Sequence, residues 1–127
     1  MWVSGAAWLV LHYFFQRADE FGPEPHALEP WMLRLHGLVL IPMLLALGSM
    51  AFDHIPAGWR DRSRRSVGLL LAAVMGFLVS GGYLLYYVGN DIVREWAAWS
   101  HWIVGLLSPA PFLWHYLSRA ARPGTAA

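Results

Sequence analysis

The 127-residue chain contains no cysteine, which removes disulfides, thiolate metal sites, iron–sulfur clusters and covalent haem attachment from consideration. It has no lysine either: all nine basic residues are arginine, set against eight acids, for a formal net charge of +1. So nearly neutral a chain has no basic field with which to hold a nucleic-acid backbone. Charge of any sign is scarce at 13%, whereas 57% of the residues are hydrophobic, a balance that belongs to membrane proteins and not to soluble ones. Also missing are an activated nucleophile, a paired carboxylate set and a phosphate-binding loop, so the chain is not expected to act as an enzyme by itself.

What is present is apolar sequence in long runs. Residues 1–16, 32–52, 67–88 and 96–118 approach or meet the roughly 17 to 25 helical residues that a hydrocarbon layer of about 30 Å requires. They lack the alternation of barrel strands, and an open strand would leave backbone groups unpaired in lipid, so all four are expected to be helices. The first run lacks the basic flank and the small-residue cleavage site of a signal peptide and reads as a retained span. The expected architecture is therefore all-α: one integral membrane domain over residues 1–127, a four-helix transmembrane bundle running up-down-up-down.

The connections assign its orientation. Residues 17–30 form an acidic, proline-bearing extended loop, and residues 89–95 a tight turn. The connection at 53–66 packs Arg60, Arg62, Arg64 and Arg65 beside Asp61, and with the tail it holds six of the nine arginines. Because basic residues concentrate on the cytoplasmic side, both termini and this connection are expected there, in the inner (plasma) membrane of a cell. Trp31, Tyr86, Tyr87, Trp96 and Trp99 then form an aromatic belt at the opposite face.

Six histidines in so apolar a chain require an explanation, because ionisable groups inside a bilayer are costly and mark function. His26 lies in the acidic loop and reads as solvated. The other five lie within or at the rims of spans, where any one of them alone reads equally well as an inter-helix hydrogen-bonding group. Spacing adds to this. His36 and His54 are 18 residues apart, about five turns, and share a face of the second span; His101 and His115 are 14 apart, just short of four turns, and share a face of the fourth. These two spans run in the same direction, so His36 matches His101 in depth near the outer side, while His54 and His115 both lie towards the inner side. Two stacked His pairs on facing helices are what bis-imidazole ligation of two b-type haems requires.

Neighbouring residues suit the same chemistry. Gly37, Gly48 and Gly105, with Gly68, Gly76, Gly81 and Gly82, are places where a flat macrocycle or another helix can approach the backbone. Arg34 near the outer pair, and Arg60, Arg64, Arg65 and Arg119 near the inner pair, are candidates for neutralising haem propionates, and equally for interfacial anchors. Pro42, Pro109 and Pro111 lie within spans and are expected to bend them. Met32, Met43, Met50 and Met75 are expected to be packing residues rather than axial ligands.

The motif Leu33-Arg34-Leu35-His36-Gly37 opening the second span, and His101-Trp102-Ile103-Val104-Gly105 with His115 in the fourth, resemble the four-helix membrane b-type cytochromes. That family includes the gamma subunits of respiratory formate dehydrogenases and nickel-iron hydrogenases and their small stand-alone relatives. The resemblance implies that His36 and His101 hold one haem. In the family the second haem takes the later His of the fourth helix and a His at the inner start of the first. This chain has no His before His12, so His54 is the substitute partner for His115. His12 is expected by depth beside His36 and His101, as an alternative outer ligand, a residue of a quinone pocket, or a hydrogen-bonding group within the bundle.

The leading expectation is a membrane-embedded electron carrier with haem b, two per chain, serving other redox subunits and exchanging electrons with quinone. The alternatives are a small four-helix transporter, for which Asp53 is the nearest coupling carboxylate, and a structural subunit of a membrane complex without haem.

Overall fold

The computed structural model describes residues 1–20, 22–60 and 65–120. Asp61, Arg62, Arg64 and the tail from residue 121 lie outside the described residues, as do the side chains of Asp53 and Arg119. The described residues form five helices and one short hairpin: α1 (Trp2–Phe14), β1 (Arg17–Asp19), β2 (Gly22–Glu24), α2 (Glu29–Arg60), α3 (Arg65–Tyr87), α4 (Asp91–Leu107) and α5 (Pro109–Ala120). They fall into two compact units, Met1–Asp53 and His54–Ala127, with the boundary inside α2.

In the first unit, the acidic connection is more ordered than its composition suggests. β1 and β2 pair antiparallel in the register Arg17↔Glu24, Ala18↔Pro23 and Asp19↔Gly22. Gly22 has φ 119, a left-handed conformation that only glycine adopts without strain, and it starts the returning strand. Strands of three residues are too short to show alternation, which is why the segment reads simply as an extended loop.

α1 departs from the expected first span. Thirteen residues rise only about 20 Å, short of the hydrocarbon thickness. Its contacts tie His12 to Glu29 and Ser4 to His36, positions only seven residues apart on α2. It therefore lies against the first part of the 32-residue α2 rather than along all of it.

In the second unit, α3 packs on both α4 and α5. The end of α2 is tied to the start of α3 by Arg65, whose Nε donates to the Trp59 carbonyl at 2.6 Å and whose guanidinium lies 5.2 Å from the centre of the Trp59 ring. The start of α4 is capped by the Asn90 side chain, which accepts from the Val93 N–H at 3.1 Å, with Asp91 favourably placed in the first turn.

The fourth apolar run divides at Ser108 into α4 and α5. Pro109 has no N–H for the carbonyl of Gly105, four residues back. Ser108 compensates, donating to that carbonyl from its backbone N–H at 3.3 Å and its hydroxyl at 2.8 Å. α2, by contrast, continues unbroken as helix through Pro42.

Two helical stretches, Glu29–Phe52 and Arg65–Tyr87, are long and apolar enough to cross a membrane, and no residue of either apolar window is buried. Among the described residues no hydrophobic side chain is buried, and the two buried residues, Ser4 and Glu29, are both polar. Trp31, Tyr86, Tyr87, Trp96 and Trp99 are all exposed. This is the reverse of a water-soluble domain, whose apolar surface is turned inward.

Candidate haem-ligand histidines

Within the first unit, His36 is held by the beginning of α1. Its Nδ1 lies 3.1 Å from the Met1 carbonyl and 3.1 Å from Ser4 Oγ, and Ser4 Oγ itself donates to the Met1 carbonyl at 2.8 Å. A carbonyl only accepts, so a bond to the Met1 carbonyl requires the tautomer with the proton on Nδ1, in which the Nε2 lone pair is the one suited to a metal. Gly5 admits the ring: a Cβ there would stand 3.2 Å from His36 Cε1 and 3.4 Å from Nδ1.

His12 is organised differently. Its Nδ1 pairs with Glu29 Oε1 at 2.7 Å, Trp8 stacks on its ring at 4.6 Å between centres, and Tyr13 meets it edge-on. Glu29, in the first turn of α2, benefits from the positive end of the helix dipole. This overturns the expected depth of His12. It stands level with Glu29, which precedes His36 by seven residues, or about 10 Å along the helix.

The buried carboxylate makes the pair consequential for stability. Glu29 Oε2 is buried with no hydrogen-bond partner among the described residues, so His12 is the side chain that satisfies this group. His12→Ala should cost about 1–3 kcal/mol by leaving the carboxylate without its donor. Glu29→Ala, which removes the buried group itself, should cost less. Thermal unfolding in detergent checks the order of the two variants.

Within the second unit, the structure brings His54 and His115 together. Their ring centres are 6.0 Å apart and the rings are inclined by 75°. His101 lies against the backbone of α3, where a Cβ on Gly81 would approach its Nδ1 to 3.3 Å and one on Gly82 its Cε1 to 3.5 Å. Gly105 faces Leu78, whose Cδ2 would be 3.8 Å from an added Cβ. At Gly48, Gly68 and Gly76 an added Cβ meets nothing within 4 Å. Gly37, beside His36, is half-buried.

His36 belongs to the first unit and His101 to the second. Arg34 is exposed, with its guanidinium 5.0 Å from the centre of the Trp31 ring, while Arg65 is engaged by Trp59. Sequence reasoning missed Ser4, Gly5, Trp8 and Glu29. The signal for the first two was there: a serine and a glycine side by side in an otherwise apolar helix are the residues that admit and bond a polar neighbour.

The histidine geometry can be set against what iron would need. Metal–imidazole bonds of about 2.0–2.1 Å, with each ring centre roughly 1.1 Å beyond its nitrogen, separate the centres of two opposed axial imidazoles by about 6.3 Å. The 6.0 Å between His54 and His115 fits that spacing. Their mutual inclination is no obstacle, because each ring can turn about its own metal–nitrogen bond. Compared with protein-family models, curated proteins and solved structures, the chain matches none.

Proposed function

We propose that this protein is a membrane-embedded b-type cytochrome that carries electrons within or across the plasma membrane as a subunit or partner of a redox complex. The single observation that carries the reading is the close approach of His54 and His115, with ring centres 6.0 Å apart in a unit whose apolar side chains face outward. His36 supports it with a proton-bearing Nδ1 held by oxygen, the arrangement usual for a metal-ligating histidine.

On this reading the bundle contains α1, α2, α3 and the α4–α5 pair. The Arg60–Arg65 connection and the C-terminal end are cytoplasmic, and α1 points its N-terminal end towards the same side. His36 and His101 hold the outer haem and His54 and His115 the inner one, with Gly37, Gly48 and Gly105 on the helices that carry these ligands. Haem supplies a one-electron couple; the chain holds it by two imidazoles, excludes water with apolar helices and sets its potential through ligand basicity and nearby charge such as Arg34. Quinone is a possible exchange partner.

Purified from a host with adequate haem, the protein should be red, with the spectrum of low-spin b-type haem at two per chain. A colourless preparation would overturn the reading in favour of a haem-free transporter or structural subunit.

A further inference from the structure

We propose that Met1 and Ser4 of α1 are positioning residues for the outer haem: they fix the tautomer and raise the donor strength of His36, so that a helix contributing no ligand sets that haem's potential. The inference rests on His36 being an axial ligand.

The hydrogen-bond inventory is what assigns Ser4 a part. The Met1 carbonyl accepts the Gly5 N–H at 3.0 Å and the Ser4 hydroxyl at 2.8 Å, and a carbonyl oxygen has two lone pairs. A third donor, His36 Nδ1–H at 3.1 Å, therefore shares its proton with Ser4 Oγ, also at 3.1 Å. Ser4 is one of the two buried residues among those described, at 6% exposure, so no bulk water replaces it. Gly5 completes the cradle by leaving room for the ring, and any larger side chain there must displace it.

The chemical consequence has a sign. A ring N–H that donates to oxygen pushes electron density towards the opposite nitrogen and makes it a stronger ligand. Stronger donation favours ferric over ferrous iron and lowers the potential. Removing the Ser4 hydroxyl should weaken it and raise the potential.

The test uses the full-length haem-loaded protein in detergent. In Ser4→Ala the ferrous-to-ferric ratio of one haem, at fixed ambient potential, should rise about threefold, roughly 30 mV for a one-electron couple. The other haem should be unchanged, and Ser4→Thr, which keeps the hydroxyl, should restore the native value. Gly5→Val should change the low-spin electron paramagnetic resonance signal of that same haem, with the second signal reporting that the protein remains folded. Should both potentials and both signals survive Ser4→Ala and Gly5→Val while His36→Ala still removes a haem, the cradle is wrong and the ligand assignment stands. Should His36→Ala leave haem content intact, the ligand assignment fails and takes the inference with it. Nitrogen NMR of His36 gives a readout independent of the haem: a proton on Nε2 rather than Nδ1 in the haem-free protein would overturn the proposed contact.

Discussion

His54→Ala and His115→Ala should each reduce haem content from two per chain to one, and both should remove the same haem. The expectation follows from two imidazoles whose centres lie 6.0 Å apart, close enough for one iron to be held between them and too close for each to serve a different one. Pyridine haemochrome quantification against protein concentration reads the loss, and redox titration identifies the surviving component. The double variant should lose no more than either single one. Loss of a haem with His115→Ala but not with His54→Ala would give His115 another partner and return His54 to the rim of its helix.

His36→Ala and His101→Ala should remove the other haem, again one per chain and again the same one, leaving the His54–His115 component with its native spectrum. Each of these histidines is set on glycine, His36 against Gly5 and His101 against Gly81 and Gly82. Truncation to alanine therefore opens space without forcing a clash, and the fold should survive it. A bis-imidazole site deprived of one ligand binds haem far less firmly, so the expected change is loss rather than retuning. Retention of full haem content by both variants would refute the assignment of the outer pair.

How much of this could be read from the sequence differs by element. The boundaries of α3 were nearly legible, because residues 67–88 are an apolar run free of charge and proline, and its length outweighs the low helix propensity of Gly68, Gly76, Gly81 and Gly82. α2 continues beyond its apolar part, to Glu29 before it and Arg60 after it, since polar residues also favour helix where the chain leaves an apolar layer. The division at Ser108 was foreshadowed by Pro109, but the repair of the Gly105 carbonyl by the serine depends on a rotamer that no pattern encodes. α1 was the least legible: apolar content gives a length but not the level at which one helix meets another.

For the candidate site the same distinction holds. The sequence reading paired His54 with His115, and their ring centres do approach to 6.0 Å, a distance that counting residues along two helices does not supply. The pairs His12–Glu29 and Ser4–His36 needed a register between antiparallel helices. Once that register is known the intervals agree, eight residues from Ser4 to His12 and seven from Glu29 to His36, but either spacing alone is unremarked in the sequence.

The burial of Ser4 and Glu29, and of no hydrophobic side chain among the described residues, separates two stages in the making of this protein. For the proposed membrane protein, insertion would be driven by the apolar exterior and be insensitive to which aliphatic residue stands at most outer positions. Lateral assembly draws nothing from that exterior, since lipid tails solvate leucine as well as another helix does. It depends instead on a few oxygen and imidazole groups, so a change at Ser4 or Glu29 leaves the apolar exterior as it was and loosens only the hold of α1 on α2.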